Sequence, residues 1–164
     1  MIAALMRTDM GGRFVQFMRS DKGKQIDKFL VRNFDFSLLM KVFSARVGFP
    51  PIPVLMIYTI GRKSGEERST VMPYFTVDGA IYLIGSNGAK KNDPLWVENL
   101  RSQPSAKIVI GRRERRVVAR EVTHDDDEYK KIWAHARAAT PQYATYQSST
   151  SRKIPIMALE PASG

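Results

Sequence analysis

The stretch TVMPYFTVDGAIYLIGS, residues 70–86, holds two runs rich in β-branched and aromatic residues, 70–77 and 80–86, on either side of Asp78-Gly79. An Asp-Gly pair in that setting predicts a tight hairpin, because both central residues of the turn need positive φ. Upstream, residues 54–60 form a short apolar run that suits a buried strand. Downstream, 106–111 and 116–122 read as a second strand pair around a loop at 112–115, and 154–160 as a last strand. Pro155 cannot donate to a ladder, so it belongs at an edge or a strand start. About six antiparallel strands, two hairpins and peripheral helices predict a mainly β fold of the α+β class, built as a barrel.

Residues 1–50 contain no good strand. Ile26, Phe29 and Leu30, then Phe36, Leu39, Met40 and Phe43, recur at helical spacing, with Lys22, Lys24, Lys28, Arg32 and Lys41 between them. Pro50, Pro51 and Pro53 end this region, since proline lacks the N–H a helix needs. Residues 94–101 read as a helix capped at Asn92-Asp93, with Pro94 in its first turn. Residues 125–139 read as a helix capped by Thr123, with Tyr129, Ile132, Trp133 and Ala136 on one stripe. Residues 141–150 read as a short helix bearing Tyr143 and Tyr146 at i, i+3. The chain divides into a helical segment, 1–50, and a barrel, 51–164.

Composition removes several kinds of chemistry. The chain has 164 residues and no cysteine, which rules out thiolate nucleophiles, disulfides and iron–sulfur clusters. Two histidines, His124 and His135, offer little for a transition-metal site. No stretch reaches the roughly 18 apolar residues of a membrane span, and no signal-peptide core precedes the helices, so the expected compartment is the cytoplasm. The net charge is +10, from 26 basic and 16 acidic residues. Residues 1–50 and 51–124 each hold an excess of five, and the remainder is neutral. That distribution suits an anionic partner: nucleic acid, an anionic membrane or a phosphorylated small molecule.

Three stretches could carry chemistry. The first is Gly61 to Gly65, with Arg62, Lys63 and Ser64 inside and Arg68 beyond it. A Gly-flanked turn with these donors suits a phosphate or carboxylate, and reads equally as a polar hairpin turn. It is not a P-loop, because the spacing is wrong and a strand follows. The second is Ser86-Asn87-Gly88-Ala89-Lys90-Lys91, ahead of Leu95-Trp96. Small residues let a flat ligand near the backbone, and a helix N-terminus beside cations binds anions; an ordinary connection has the same look. The third is Tyr143 and Tyr146, which offer two hydroxyls on one helix face or simply pack in the core. With no Gly-x-Ser-x-Gly, His-Glu-x-x-His or Gly-x-Gly-x-x-Gly motif, an enzyme here would take its chemistry from a cofactor.

Taken in order, TIGRKSGEER at 59–68, Val77-Asp78-Gly79, SNGA at 86–89 with PLW at 94–96 and Asn99-Leu100, YATYQ at 143–147 and RKIP at 152–155 resemble the deazaflavin-dependent nitroreductase family. The likeness covers about residues 52–161. It implies a split β-barrel, akin to FMN-binding barrels, that binds coenzyme F420. The reduced form, F420H2, would pass a hydride to a quinone, an enone or lactone, or a nitroaromatic. By position, Arg62, Lys63, Ser64 and Arg68 would hold the phosphate and oligoglutamate tail, with Lys90 or Lys91 adding a cation. Ser86, Asn87, Gly88 and Ala89 would lie along the deazaflavin, with Leu95 and Trp96 close by. Tyr74, Tyr143 and Tyr146 would face the substrate, and Tyr143, Tyr146 or Ser86 would deliver a proton or orient it. Asn87 stands where some members carry lysine, Ala89 where some carry glycine, and Thr140 where some carry a tyrosine that would narrow the pocket.

Other readings stay open beside this one. A split barrel could bind lipid or another small ligand without redox chemistry, or use FMN instead. Nucleic acid is not expected as a partner, because Arg112, Arg113, Arg115 and Arg116 flank one hairpin without interleaved aromatics. Residues 1–50 could cover one end of the barrel, which the Phe and Leu positions favour, or lie on the inner face of a membrane. Related split barrels often form homodimers.

Overall fold

The computed structural model describes residues 9–162. Three helices come first: α1 (Asp9–Met18), α2 (Asp21–Phe34) and α3 (Leu38–Val47). Seven strands follow: β1 (Val54–Ile60), β2 (Glu67–Pro73), β3 (Phe75–Val77), β4 (Ala80–Ile84), β5 (Ser105–Ile110), β6 (Arg113–Glu121) and β7 (Ile156–Pro161). Helix α4 (Leu95–Ser102) lies between β4 and β5 in the chain. Helices α5 (Asp127–Ala139) and α6 (Gln142–Ser148) lie between β6 and β7.

The strands form one antiparallel sheet in the order β2-β1-β5-β6-β7-β4-β3. Its two edges, β2 and β3, are separated in sequence by Tyr74 alone. A flat sheet of this width would hold its edges roughly 29 Å apart, far beyond the reach of one residue. The sheet must therefore curl until the edges meet, which is the expected barrel. β1 is buried on both faces, and this explains its unbroken apolar run. Leu55 and Ile57 enter one core with Leu83, Leu100, Ile108 and Met157, while Met56 meets Val31 of α2 and Val109. A further core under α5 and α6 gathers Tyr82, Tyr129, Ile132, Ala136, Ile154 and Ile156.

The Asp78-Gly79 hairpin forms with both φ values positive, at 51° and 80°. The second hairpin is tighter than expected. Its turn is Gly111-Arg112, again with both φ positive, so Arg113 and Arg115 belong to β6 and not to a loop at 112–115. The run 70–77 is broken at Tyr74, where the chain passes from one sheet edge to the other. β7 starts at Ile156; before it the Ile154 carbonyl accepts from the Tyr129 hydroxyl at 2.6 Å, while the Pro155 carbonyl accepts from Gly85 N–H at 2.8 Å, one residue beyond the β4 pairing, and Pro155 has no N–H to give. The N-cap of α5 is Asp126, not Thr123. Pro94 itself caps α4 in extended conformation, leaving Asp93 free to meet two arginines.

The face of α2 also differs from the sequence reading. Ile26 and Phe29 point to solvent, and the buried positions are Gly23, Asp27 and Val31. Close approach sets this choice. A Cβ on Gly23 would stand 2.4 Å from both Met18 Cα and the Phe17 carbonyl oxygen, so only glycine lets α2 turn this tightly off α1. Asp27 then accepts from the Ser37 hydroxyl at 2.8 Å and Leu39 N–H at 3.1 Å, a carboxylate at the N-terminus of α3.

Candidate active site

The β1–β2 turn is built by backbone bonds and one buried amide. Gly61 N–H donates to Glu66 O at 2.8 Å and Gly65 N–H to Gly61 O at 2.7 Å. Asn99, buried on α4, accepts from Arg62 N–H at 3.1 Å and donates to the Thr59 hydroxyl at 3.0 Å. The turn is thus tied to α4 and presents Arg62, Lys63, Ser64 and Arg68 around a cleft of about 530 Å³, walled opposite by Leu95 and Trp96. Arg62 and Arg68 have carboxylate neighbours, Glu98 at 3.4 Å and Glu66 at 2.6 Å, all substantially solvated. A second cleft of about 430 Å³ shares Arg62 and Leu95 and adds Lys91, Arg152 and Lys153. Sharing those two residues, the clefts make one run of mainly cationic surface, a channel with Asp93 and Glu98 also in the wall of its second part.

The loop after β4 carries unusual backbone. Asn87, Gly88 and Ala89 all have positive φ, at 48°, 59° and 61°. For a residue with a Cβ this costs roughly 1–2 kcal/mol, so something must hold the loop in place. That group is Arg152. Its guanidinium donates to Lys90 O at 2.9 Å, Gly85 O at 2.9 Å and Ser86 O at 2.6 Å, and pairs with Asp93 at 2.7 Å. Asp93 also meets Arg101 at 2.6 Å, which in turn grips Glu121 of β6. The strained turn is therefore clamped on both sides and braced against the sheet.

A cavity of about 210 Å³ lies between the barrel and helices α2 and α3, with Ser86 of this loop in its wall. Ser86, Thr140, Tyr143 and Tyr146 line it with Met40, Phe43, Phe49 and Ile52, and Arg19 and Asp27 come from the helical side. Tyr143 and Tyr146 stand edge to face at 6.1 Å. Burial raises the pKa of both hydroxyls, and Arg19 pulls against that rise at Tyr146. Both stay protonated at neutral pH and so can donate hydrogen bonds.

The structure brings most of the sequence candidates together. Ser86, Tyr143 and Tyr146 share the cavity; Arg62, Lys63, Ser64, Arg68, Lys91, Leu95 and Trp96 share the channel; Asn87, Gly88 and Ala89 form the turn that joins Ser86 to Lys90 and Lys91 in the chain. Thr140 lines the cavity, where its small side chain leaves the space open. Lys90 contributes its carbonyl to Arg152. Tyr74 stands apart. It packs beside the core under α4, and burial, with Asp35 nearby, raises its pKa. Sequence reasoning missed Asn99, Asp93 and the clamp by Arg152, although two of them lie inside the quoted PLW-x2-NL and RKIP stretches.

The arrangement fits a flat ring with a polyanionic tail. Leu95 is 75 % exposed beside the buried Trp96, so its apolar side chain is available to a ring in the cleft. Gly88 has no atom within 4 Å of where a Cβ would start, so a ring can approach the backbone there. The channel supplies cations for phosphate and carboxylates. Residues 38–161 match the F420H(2)-dependent quinone reductase family. An F420H(2)-dependent quinone reductase of Mycobacterium tuberculosis (strain H37Rv) is 32% identical over 108 residues, 65% of this chain and 72% of that protein. Among solved structures, the F420-H2 dependent reductase FDR-A superposes with a TM-score of 0.59 at 29% identity, covering 66% of this chain and 94% of its own. A chain described as a domain-swapped dimer gives the same score and identity, covering 66% of this chain and 80% of its own. With its curled antiparallel split barrel, the chain belongs to the F420H(2)-dependent quinone reductase family, whose coenzyme is reduced F420.

Proposed function

We propose that the protein reduces a quinone, or a related electron-poor planar molecule such as an enone or nitroaromatic, held in the cavity against Tyr143 and Tyr146. The observation that carries this reading is the meeting of two different spaces at one loop. Ser86 belongs to the cavity wall, Lys91, Asn92 and Asp93 a few residues on line the second cleft, and Arg152 of that cleft holds the carbonyls of Gly85, Ser86 and Lys90. When bound, the reduced deazaflavin supplies a hydride. Arg62, Lys63 and Arg68 would hold its tail, Leu95 and Trp96 would pack near the ring, and residues 87–89 would support it. Ser86, Tyr143 and Tyr146 would orient the acceptor and donate hydrogen bonds to oxygen as charge develops. Enclosure beneath α1–α3 would limit water around the transfer.

Titration with oxidised F420 and, separately, FMN, read by tryptophan fluorescence, tests the first half; Trp96 lines the channel. Tight, salt-sensitive F420 binding with weak FMN binding supports the reading. FMN preference would point to an FMN oxidoreductase, and binding of neither to a ligand-binding barrel. Turnover of a water-soluble quinone with reduced F420, compared with an enone and a nitroaromatic, tests the second half.

The outer face of α2 favours a peripheral contact as well. Phe29 and Phe34 stand edge to face at 6.1 Å and are 59 % and 65 % exposed, with Ile26 beside Lys22, Lys24, Lys28 and Arg32 along the same helix. Apolar rings among cations suit an anionic lipid surface. No helix among the described residues is long and apolar enough to cross a membrane. Co-sedimentation with vesicles containing anionic lipid should be lost in the F29S/F34S protein. Self-association without vesicles would instead assign this face to a homodimer.

A further inference from the structure

Arg19 lies outside the family-matched segment, which begins at residue 38, yet it lines the cavity with Tyr143, Tyr146 and Ser86. It follows directly on α1, and its position depends on the tight corner that Gly23 permits. Its guanidinium carbon stands 5.6 Å from the centre of the Phe43 ring, another cavity residue. Among the described residues it makes this ring contact and no ion pair. The other charged group of the cavity, Asp27, is buried and already accepts from Ser37 and Leu39. One exposed cation with no carboxylate partner among the described residues thus lines a mainly apolar space, and its charge is felt at the Tyr146 hydroxyl.

Resting on the quinone-reductase reading, we propose that Arg19 is a substrate-contacting residue that holds negative charge on the acceptor's oxygen and biases the cavity toward molecules that carry or develop an anion there. A quinone takes two electrons and one proton as hydride and a second proton from water; until that proton arrives, one oxygen is an oxyanion. A cation in a partly enclosed cavity stabilises that charge more than water does. Tyr143 and Tyr146 donate hydrogen bonds to the same oxygen but carry no charge themselves.

Two readouts test this. In the full-length protein, R19Q should lower kcat/KM for a water-soluble quinone by about ten- to a hundredfold, with F420 affinity unchanged and most of the loss recovered in R19K. Independently of turnover, R19Q should weaken binding of 4-nitrophenolate by roughly tenfold and leave the neutral isostere 4-nitrotoluene unaffected. Failure of the unsubstituted protein to reduce any quinone would sink the reductase reading alone, since the phenolate titration still judges Arg19. Equal phenolate affinity in the unsubstituted protein and R19Q, or no phenolate binding at all, overturns the assignment. So does lost turnover with phenolate binding intact, which would mark a structural role.

Discussion

The channel around Arg62 and the cavity beneath α2 and α3 border one connection, Ser86 lining the cavity and Lys91 to Asp93 the channel, yet they are held together in different ways. The channel is pinned by side chains that reach across the chain to backbone: Asn99 to the β1–β2 turn, Arg152 to the loop after β4. The roof of the cavity rests on close approach and one buried carboxylate, with Gly23 against Met18 and Asp27 against Ser37. Hydrogen-bonded clamps fix a backbone shape even where it is strained. Packing at a tight corner fixes only how two helices lean. The coenzyme side should therefore fail when a single polar group is removed, and the substrate side when a small volume is added.

The largest effect is expected at Arg152. R152A leaves three carbonyls without their donor and Asp93 with Arg101 alone, in a place where the Arg152 side chain is 13 % exposed. Stability should fall by roughly 2–3 kcal/mol. F420 affinity should fall more than about tenfold, because Asn87 and Ala89 would relax from positive φ. Thermal unfolding and F420 titration check both. R152K should recover little, since a point charge cannot serve several acceptors at once as the planar fork does. Full affinity in R152A would show that the loop holds its shape unaided.

Adding one methyl group at the roof should act on the other side. G23A places Cβ 2.4 Å from backbone atoms of Met18 and Phe17, so the α1–α2 corner must open. The cost is about 1–3 kcal/mol. KM for the quinone should rise while F420 affinity stays within error. Equal loss of both would mean that the two spaces are not separable.

The same contrast explains what could be read in the sequence. β1 and the Asp78-Gly79 turn were legible because their signals are local: an apolar run, and a residue pair with a fixed turn preference. The cationic turn and the tyrosine pair were legible as chemistry, and the resemblance joined them. The buried face of α2 was not, because it consists of glycine, aspartate and valine while Ile26 and Phe29 face outward. Only contact with Met18 and Ser37 reveals it. The Arg152 clamp spans more than sixty residues to each carbonyl it holds, and no periodicity announces such a pairing. Tyr74 looked like a third hydroxyl for the substrate, but the jump between sheet edges turns it away from the cavity.

Leu95 offers a sharper division between binding and stability. As an exposed side chain it contributes little to the fold, so L95A should leave Tm unchanged. If a ring covers it, the truncation loses about 1 kcal/mol, roughly fivefold in F420 affinity. An unchanged affinity would place the ring elsewhere along the channel.

The smallest effect is a pH dependence that belongs to neither space. The His124 ring lies 4.0 Å from that of Tyr129, and its Nε2 is buried without a partner among the described residues. Burial, and then the positive charge of Lys153, hold its pKa below the usual histidine value, with Asp125 pulling weakly the other way. The folded protein therefore keeps this ring neutral at a pH where the unfolded chain, with a pKa of about 6.5, already binds a proton. Where the unfolded state binds more protons, stability rises with pH. The contribution is complete above about pH 6.5 and is lost as pH falls toward the lower folded value. Melting curves from pH 8 downward should show this decline in the unsubstituted protein and a shallower one in H124F, which keeps a ring against Tyr129. F420 affinity should follow the same course in both proteins, because the cations of the channel are arginine and lysine and His124 lines neither space. Parallel melting profiles would shift the acid sensitivity to carboxylates such as Glu128, whose pKa the Arg120 guanidinium holds down; that decline would begin only near the ordinary carboxylate range, about two pH units lower.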